Sequence, residues 1–401
     1  MLELESAQQK ILDAVQPLPA ELISLNAAAD RILAGKILSP VDLPPFDNSA
    51  MDGYAVRAED LILTSADAPV SLRLNGRIPA GEIFSGSVER GTCVRIFTGS
   101  PLPRGADAVV MQEDTRSDPA NAATILFLDK VRPWENTRLR GEDVKKDSAL
   151  AEAGEKLTTG RISLLAAAGM AEVRVARRPV VGLLATGSEL REPGQPLEPG
   201  AIFESNRMGL ASFAARAGAI GKSFPIVPDN LDATKAALEK AFDECDVVIT
   251  SGGVSVGEMD FVKAAFEQLG GQMDFWKVNI KPGKPFVFGR RGTKFLFGLP
   301  GNPVSALVTF FLLARPALLR MQGAKEISPP IHFGRLAEPL VNRGDRRHFV
   351  RVSVDAAGHV RSAGAQASHI LSGLARANGL VDVPPQTNFA ADTIVQVLRW
   401  D

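Results

Sequence analysis

Three glycine-rich segments between residues 185 and 306 have the composition of anion-binding loops. They contain Thr-Gly-Ser-Glu at 186–189, Ser-Gly-Gly at 251–253 and Pro-Gly-Asn-Pro at 300–303. Glycine lets the backbone approach a ligand closely, and a helix that follows such a loop adds the positive end of its dipole. An ordinary tight turn explains any one of these segments alone. Three of them in one region favour a site for a phosphate or another oxyanion, although none carries the Gly-Lys-Ser/Thr or Gly-x-Gly-x-x-Gly pattern of nucleotide-binding loops.

Three lysines lie between the second and third glycine-rich segments. Lys277 and Lys281 are four residues apart, so on a strand they would point to the same face. Lys284 follows a Pro-Gly turn. Lysines that converge on a cleft can hold a multiply charged anion. A solvated edge strand is the alternative, but the apolar neighbours Phe275 and Val278 make it less natural.

Three carboxylates, Glu189, Asp229 and Asp260, fall just after predicted strands or at predicted helix starts. For any one of them alone, the usual role is a helix cap or a first-turn acid that the helix dipole favours. Together with the lysines they would suit Mg²⁺, because Mg²⁺ takes one or two carboxylates plus oxygens of a phosphate ligand. These three are therefore the predicted metal ligands.

The elements that must position these residues form an α/β pattern over residues 179–325. The strands are apolar on both faces, which is typical of a parallel sheet covered by helices. In such a sheet ligands bind beyond the carboxyl ends of the strands, where the three glycine-rich segments fall. The predicted strands include 180–185, 247–251 and 294–298, and the predicted helices include 208–217, 232–242, 261–269 and 304–313.

The rest of the chain is predicted to form further regions. Short β-type runs that alternate with Gly/Pro turns indicate a small β domain at 47–130, inserted between the two segments, 1–46 and 131–178, of an elongated first domain. Residues 326–401 are again rich in β-type runs, and a hairpin is predicted at 348–362.

Composition restricts the possible functions. The 401 residues are 45% apolar and 23% charged, so the chain can bury several cores. With 45 Lys and Arg against 46 Asp and Glu, the net charge of -1 argues against a protein that coats nucleic acid or binds a membrane through a polybasic surface. Cys93 and Cys245 are too few for a disulfide framework or a closed zinc site. We see no signal peptide, and the apolar stretch 306–314 is too short to cross a bilayer and stops at Arg315-Pro316, so a cytoplasmic protein is expected.

Seven motifs in this sequence resemble those of the molybdopterin molybdenumtransferase family, which includes bacterial MoeA and the E domain of gephyrin. The motifs follow the order of the family over nearly the whole chain, so chance agreement is negligible. They are PPFDNSAMDGYA at 44–55, RIFTGSPLPRGADAVV at 95–110, RLRGEDV at 138–144, ATGSEL at 185–190, SGGVSVGEMDF at 251–261, KVNIKPGKP at 277–285 and GLPGNPVSA at 298–306.

The resemblance implies a reaction and an architecture. The family takes adenylylated molybdopterin and molybdate and yields molybdenum cofactor with release of AMP, and it needs Mg²⁺. A molybdopterin adenylyltransferase would be the partner that supplies the adenylate. The implied fold is multidomain, α/β plus β, with an elongated first domain, an inserted small β domain, a parallel-sheet α/β molybdopterin-binding-like domain and a C-terminal β domain. The implied assembly is a homodimer, with each active cleft between the α/β domain of one subunit and the inserted-domain side of the other.

The resemblance also implies site residues. The lysines would hold molybdate or the pterin phosphate, the glycine-rich loops would hold phosphate or pterin, and Asp52 and Thr98 would close the cleft from the partner subunit. One departure from the family is visible, because residue 188 is Ser where many relatives have Asp, which puts a metal role at this position in doubt. The expected catalytic residues are Asp52, Thr98, Glu189, Asp229, Asp260, Lys277 and Lys281. The expected cofactor-binding residues are Arg138, Asp143, Ser251, Gly252, Gly253, Lys284, Pro300, Gly301, Asn302 and Pro303.

Two alternatives share much of this pattern. A scaffold protein could bind the cofactor without catalysing metal insertion, but such a protein would tolerate loss of the Asp/Glu/Lys set, which is complete here except at Ser188. A relative that inserts tungstate would share both the residues and the chemistry. The sequence does not separate these two isosteric oxyanions.

Overall fold

The computed structural model describes residues 1–253 and 261–400. The helices in these residues are α1 (Leu4–Ala14), α2 (Thr159–Ala167), α3 (Asn206–Arg216), α4 (Leu231–Glu244), α5 (Phe261–Gln268), α6 (Pro303–Thr309), α7 (Arg315–Met321) and α8 (Leu371–Arg376). The strands are β1 (Ala20–Ser24), β2 (Ile37–Leu38), β3 (Asn48–Ser49), β4 (Gly53–Val56), β5 (Val70–Ile78), β6 (Thr92–Ile96), β7 (Ala108–Met111), β8 (Thr115–Asp118), β9 (Asn121–Phe127), β10 (Thr137–Arg138), β11 (Ala149–Ala151), β12 (Glu172–Ala176), β13 (Val180–Ala185), β14 (Leu190–Arg191), β15 (Ile202–Phe203), β16 (Ile220–Ser223), β17 (Val247–Ser251), β18 (Gln272–Trp276), β19 (Ile280–Lys281), β20 (Val287–Arg291), β21 (Lys294–Leu299), β22 (Ile331–Leu336), β23 (Leu340–Asn342), β24 (Arg347–Val354), β25 (His359–Ser362), β26 (Gly379–Val383), β27 (Thr387–Phe389) and β28 (Ile394–Arg399).

The described residues divide into two compact units. The first unit contains residues 1–35, 153–157 and 172–401, and the second contains residues 36–152 and 158–171. The sequence-based boundaries of the four regions remain a prediction, whereas the α/β plus β class is confirmed by the sheets of both units.

The first unit contains the predicted parallel sheet. Its strand order is β16-β13-β17-β21-β20-β18, in which β16, β13, β17 and β21 are parallel. Strand β20 pairs antiparallel with β21, and β18 pairs antiparallel with β20. Successive residues of one strand point to opposite faces. Leu183 therefore packs into the core with α1, α3, α6 and α7, while Leu184 packs into the core with α4 and α5. Both faces are covered by helices, as the continuous apolar strands predict.

The helix after the third glycine-rich segment is longer than predicted. Pro303–Met321 is one helix of 19 residues, with a π-helical turn at Phe310–Ala314, so the predicted helix end at residue 313 is wrong. Pro316 has no N–H for the carbonyl group of Leu312, and the side-chain amide of Gln8 donates to that carbonyl instead (2.8 Å). This helix meets the length and composition of a membrane span, but 83% of its apolar window is buried inside the protein, as in a core helix.

A second sheet of the first unit has the order β19-β24-β25-β22-β28-β26, and an additional pairing of β24 with β26 closes five of its strands into a ring. The predicted hairpin is present, since β24 and β25 pair antiparallel across the turn at 355–358. Valines from several of these strands fill the interior. Strand β19, which carries Lys281, extends this ring through parallel pairing with β24.

The second unit contains a six-stranded sheet of order β7-β4-β6-β5-β9-β8. All six strands come from the region predicted as an inserted β domain. Apolar residues of the two faces form separate cores, one around Phe127 and one around Ile96. Short pairings of β3 with β10 and of β2 with β11 bring distant parts of the chain to this unit.

Candidate functional site

The three glycine-rich loops lie side by side in the first unit. Strands β13, β17 and β21 end at Ala185, Ser251 and Leu299, at one edge of the parallel sheet. The Thr186 N–H donates to the carbonyl oxygen of Ser251 (3.1 Å), and the Gly252 N–H donates to that of Leu299 (3.1 Å). This edge is where open α/β sheets bind ligands, and the sequence-based placement of the loops is therefore confirmed.

Close packing of these loops requires glycine at two positions. Gly252 has φ +92°, and a Cβ there would lie 2.9 Å from the carbonyl oxygen of Thr186. Gly253 has φ +66°, and a Cβ there would lie 2.6 Å from Val262. A Cβ on Gly301 would lie 3.7 Å from the Cα of Gly252, so the second and third loops are in contact range. The loops thus form one continuous rim of backbone.

Asp229 is bound to the first of these loops. Its carboxylate accepts the N–H of Ser188 (2.9 Å), and the Ser188 hydroxyl accepts the N–H of Asp229 (3.1 Å). The N-cap of α4 is Asn230, whose side chain accepts the N–H of Ala233 (2.8 Å). Asp229 is therefore not the helix cap that would have explained it structurally. The backbone N–H of residue 188, the position that departs from the family pattern, thus orients the Asp229 carboxylate, and the Ser188 hydroxyl holds the Asp229 backbone.

The predicted metal ligands are in part described. Glu189 is exposed, and its carboxylate lies against Gly187, where a Cβ would be 2.7 Å from Glu189 Oε2. Within residues 1–253 and 261–400, no ion pair involves Glu189, and no group of three His, Cys, Asp or Glu side chains could hold a metal. Asp260 lies outside the described residues. Glu189 and Asp229 together provide oxygen ligands of the kind that Mg²⁺ takes alongside phosphate oxygens.

The lysines do not share one strand, so the same-face argument for Lys277 and Lys281 is wrong. Strand β18 ends at Trp276, Lys277 has φ +73°, and Lys281 belongs to β19 in the other sheet. The Lys277 ammonium lies 4.0 Å from the centroid of the Trp276 ring, a cation–π contact. Lys281 and Lys284 are exposed. Lys281 pairs in register with His348, whose pKa is lowered to about 4 by burial and then by the positive charge of Lys281.

The third loop is partly occupied by the C-terminal region. Asn302 is the N-cap of α6 and Pro303 its first residue, as predicted, but the Asn302 side chain does not cap the helix. Its amide nitrogen donates to the hydroxyl of Ser368 (3.1 Å), and the N–H of Val304 donates to the Ser368 carbonyl oxygen (3.1 Å). Pro300 is buried, whereas Asn302 is exposed. One N–H of the predicted anion cradle is thus already used within the protein.

Sequence reasoning missed a buried polar cluster beneath these loops. The Asn206 side chain donates to the Ser251 hydroxyl (2.6 Å) and to the Gly301 carbonyl oxygen (2.8 Å). The sequence signal for this cluster was the polar run 204–207 before a predicted helix. Polar residues at that place are also typical of ordinary helix capping. Its other members, Glu204 and Arg207, are also buried.

Arg207 carries a full charge inside the protein. Its guanidinium donates to Glu204 (2.9 Å), to both carboxylate oxygens of Glu192 (2.8 Å each) and to the carbonyl oxygen of Phe224. Burial lowers the pKa of Arg207, but the hydrogen bonds that it donates to Glu192 and Glu204 outweigh this effect and raise the pKa overall. The charge is therefore stable because it is paired and hydrogen-bonded.

In the second unit, the structure brings Asp52 and Thr98 together. The Asp52 carboxylate accepts both the N–H and the hydroxyl of Thr98, each at 2.8 Å. The bond from the Thr98 N–H, and then that from its hydroxyl, hold the pKa of Asp52 below its ordinary value. Both residues are exposed, so an ionised carboxylate with free accepting capacity faces solvent.

Arg95 supports the backbone next to Asp52. Its guanidinium donates to the carbonyl oxygen of Gly53 (3.0 Å) and to the side chain of Gln112. It also lies 5.0 Å from the ring centroids of both Tyr54 and Phe97. The only tyrosine of the chain thus serves to hold this cation, through the ring quadrupole.

Arg138 and Asp143, the other predicted residues of this unit, are exposed. Arg138 lies in β10, opposite Asn48 of β3, in the polar loop that leads to Asp52. The Asp143 N–H donates to the carbonyl oxygen of Leu43 (3.1 Å), at the start of the same loop. Both residues therefore belong to segments that pair with the loop at 44–55.

Three family models match the chain in succession. Residues 2–169 match the MoeA N-terminal region (domains I and II), residues 182–320 match a probable molybdopterin binding domain, and residues 334–400 match the MoeA C-terminal region (domain IV).

Individual relatives match over almost the whole length. A molybdopterin molybdenumtransferase of Haemophilus influenzae is 42% identical over 94% of this chain and 93% of that protein. Molybdopterin molybdenumtransferase 2 of Mycobacterium tuberculosis is 38% identical over 100% of both chains. A crystal structure of the molybdopterin biosynthesis MoeA protein of Pyrococcus horikoshii OT3 covers 100% of both chains with a TM-score of 0.87 and 30% identity. With its loop-lined sheet edge and its full-length relatives, this chain belongs to the molybdopterin molybdenumtransferase family, enzymes of molybdenum cofactor biosynthesis.

Proposed function

We propose that this enzyme joins adenylylated molybdopterin and molybdate to form molybdenum cofactor, with release of AMP and a requirement for Mg²⁺. Water breaks the phosphoanhydride bond, the pterin keeps its terminal phosphate and AMP leaves. The two dithiolene sulfurs of the pterin replace oxo oxygen on molybdate as ligands of the metal, and that oxygen leaves as water with the thiol protons. The observation that carries this proposal is the continuous rim of three glycine-rich loops with Glu189 and Asp229 beside it. The N–H groups of Thr186 and Gly252 hold this rim together, and those of Gly301 and Asn302 would bind phosphate oxygens.

Glu189 and Asp229 would hold Mg²⁺, with Asp260 as a third ligand on sequence grounds. The fit rests on the donor chemistry, because Asp229 is oriented by Ser188 and Glu189 has no ionic partner among the described residues. Bound Mg²⁺ would neutralise charge on the phosphate oxygens. The residues themselves would orient the phosphoanhydride against the loops.

The lysines would bind the oxyanions. Lys277 is fixed by its backbone conformation and by contact with Trp276, whereas Lys281 and Lys284 are exposed and free to reach a ligand. A tetrahedral doubly charged anion such as molybdate favours a site with several cations. Ser251, Gly252 and Gly253 would bind phosphate or pterin, and so would Pro300, Gly301, Asn302 and Pro303.

Asp52 and Thr98 would contribute an ionised carboxylate. The two hydrogen bonds from Thr98 keep Asp52 deprotonated and pointed in one direction, so it can accept a proton or hydrogen bond from the substrate. Arg138 and Asp143 would bind the pterin or its phosphate from neighbouring segments.

The test is a reconstituted reaction with purified protein, adenylylated molybdopterin, molybdate and Mg²⁺. Lys277→Ala and Asp229→Asn should each abolish most AMP release while the protein stays folded. Lys240→Ala, which removes an exposed lysine of α4 in the same unit, is the matched control and should leave the rate unchanged. Full activity of both site variants would contradict the assignment.

We also propose a homodimer, a cytoplasmic location and delivery of the adenylate by a molybdopterin adenylyltransferase, supported by the family resemblance. Mixing inactive Asp52→Ala and inactive Lys277→Ala protein tests the dimer. If each active site takes residues from two subunits, the mixture should regain part of the activity through heterodimers. No recovery after verified subunit exchange would contradict a shared site. Competition between molybdate and tungstate in the same reaction measures which oxyanion is preferred.

A further inference from the structure

We propose that Asn206 is a positioning residue that fixes the spacing between the second and third glycine-rich loops. This role rests on the proposed function, since it prepares the loops to bind the phosphate groups of adenylylated molybdopterin. Asn206 lies outside the seven sequence motifs, within the region that matches a probable molybdopterin binding domain.

The geometry gives Asn206 contact with both loops. It is the first residue of α3, and its amide nitrogen has two hydrogens. One is donated to the hydroxyl of Ser251, at the end of β17, and the other to the carbonyl oxygen of Gly301, after β21. A single buried side chain therefore joins the ends of two neighbouring strands.

The backbone of Asn206 is held from the opposite side. Glu204 accepts the N–H groups of Asn206 (2.7 Å) and Arg207 (2.9 Å), and it also accepts Nε of Arg207 (2.9 Å). Arg207 in turn binds both carboxylate oxygens of Glu192, three residues after Glu189. The buried cluster Glu204–Asn206–Arg207 thus connects the second and third loops with the segment that follows the first loop, and rigid support of this kind is what a precise binding site requires.

The hydrogen bonding of Asn206 is incomplete in a way that stability alone does not explain. Its Oδ1 atom is buried and has no hydrogen-bond partner among the described residues. An unpaired buried acceptor is unfavourable, so a residue selected only for stability would not be expected to retain it. The presence of an amide at this position is explained by the two N–H groups that it donates. A carboxylate has no donor and a hydroxyl group has one, so neither could make both hydrogen bonds.

Asn206→Asp is the informative variant, because it keeps the shape of the side chain and exchanges the donor for an acceptor. The Ser251 hydroxyl can rotate and donate to the new carboxylate, whereas the Gly301 carbonyl oxygen would face another oxygen. The third loop should therefore move away from the second. Asn378→Asp is the matched control, since the Asn378 amide nitrogen also donates to a backbone carbonyl oxygen, that of Val354 in the C-terminal sheet.

Two readouts decide the proposal. Amide hydrogen exchange should increase in peptides that cover Gly301 and Asn302 in Asn206→Asp but not in Asn378→Asp. The KM for adenylylated molybdopterin should rise, with kcat/KM for that substrate falling on the order of 10- to 100-fold, because small displacements of binding groups carry losses of that size. The KM for molybdate should stay close to that of the wild type.

Unchanged exchange at Gly301 in Asn206→Asp would overturn the proposal, and so would equal kinetic losses in both variants. If the wild-type protein released no AMP, the proposed function would fail, while the exchange measurement would still decide whether Asn206 holds the two loops. Failure of the function and failure of the inference are thus distinguishable.

Discussion

Replacement of Arg207 by Met should lower the free energy of unfolding of the first unit by about 3 kcal/mol. The Arg207 side chain is 3% exposed and that of Glu204 is 2% exposed, so neither water nor salt screens this pair. Removal of one partner from a buried pair costs about 3–5 kcal/mol, because a charge remains buried without compensation. We expect the lower end of this range of energies, since Glu204 still accepts two backbone N–H groups in the variant. Glu192 is 39% exposed and is expected to add little.

The assay is urea denaturation followed by tryptophan fluorescence in a Trp134→Phe background. Trp134 lies in the second unit, so the remaining Trp276 and Trp400 report only on the first. Arg177→Met is the matched control. Arg177 also binds an aspartate through two bonds, but its side chain is 37% exposed and that of Asp246 is 20% exposed. We expect a loss of about 1 kcal/mol for this variant.

The double variant Arg207→Met/Glu204→Gln should recover part of the stability, because it also removes the buried negative charge. Equal losses for Arg207→Met and Arg177→Met would contradict this expectation, since the two ion pairs differ in burial. A double variant less stable than Arg207→Met would refute it as well.

Three further predictions follow from the geometry. Gly252→Ala should abolish activity and strongly destabilise the protein, because the added Cβ would lie 2.9 Å from a backbone oxygen. Gly270 has φ +77° but open space around it, so Gly270→Ala should lower the free energy of unfolding by only about 1 kcal/mol. Thermal unfolding compares the two variants. Burial lowers the pKa of His348 to about 4, below its ordinary value near 6.5, so between these pH values the unfolded state binds more protons than the folded state. The free energy of unfolding should therefore fall by up to about 3 kcal/mol from pH 6.5 to pH 4. Denaturation of His348→Gln at several pH values should lack this dependence on pH. Thr98→Val removes one of two donors to Asp52, so the pKa of this carboxyl should rise, and the acidic limb of the pH–rate profile should move to higher pH; an unmoved limb would remove Asp52 from the ionisations that control the rate.

The sheet and its loops were predictable from local pattern. Apolar strands followed by glycine-rich turns predict both the parallel sheet and the edge that carries the loops, because side-chain burial and backbone conformation are encoded locally. The path of Lys277 was not predictable in this way. Strand β18 ends before Lys277, which has a left-handed backbone conformation, and Lys281 lies in another sheet. The even number of residues between the two lysines does not reveal this change of sheet.

Long-range partners account for the other differences. The helix continues through Pro316, and Gln8, which is distant in sequence, supplies the donor that Pro316 lacks. The helix cap expected of Asn302 is replaced by a bond to Ser368, which no local pattern indicates. Asn206 reads as part of a helix start, and only the fold shows that its amide lies between two loops.

The most direct test of the central claim is the stoichiometry of the reconstituted reaction. Wild-type protein, adenylylated molybdopterin, Mg²⁺ and molybdate should yield AMP and molybdenum-loaded cofactor in equal amounts, and omission of molybdate should prevent formation of the loaded cofactor. AMP release no greater than in a protein-free control, or AMP release without any metal-loaded pterin, would contradict the assignment of this chain as the enzyme that inserts the metal.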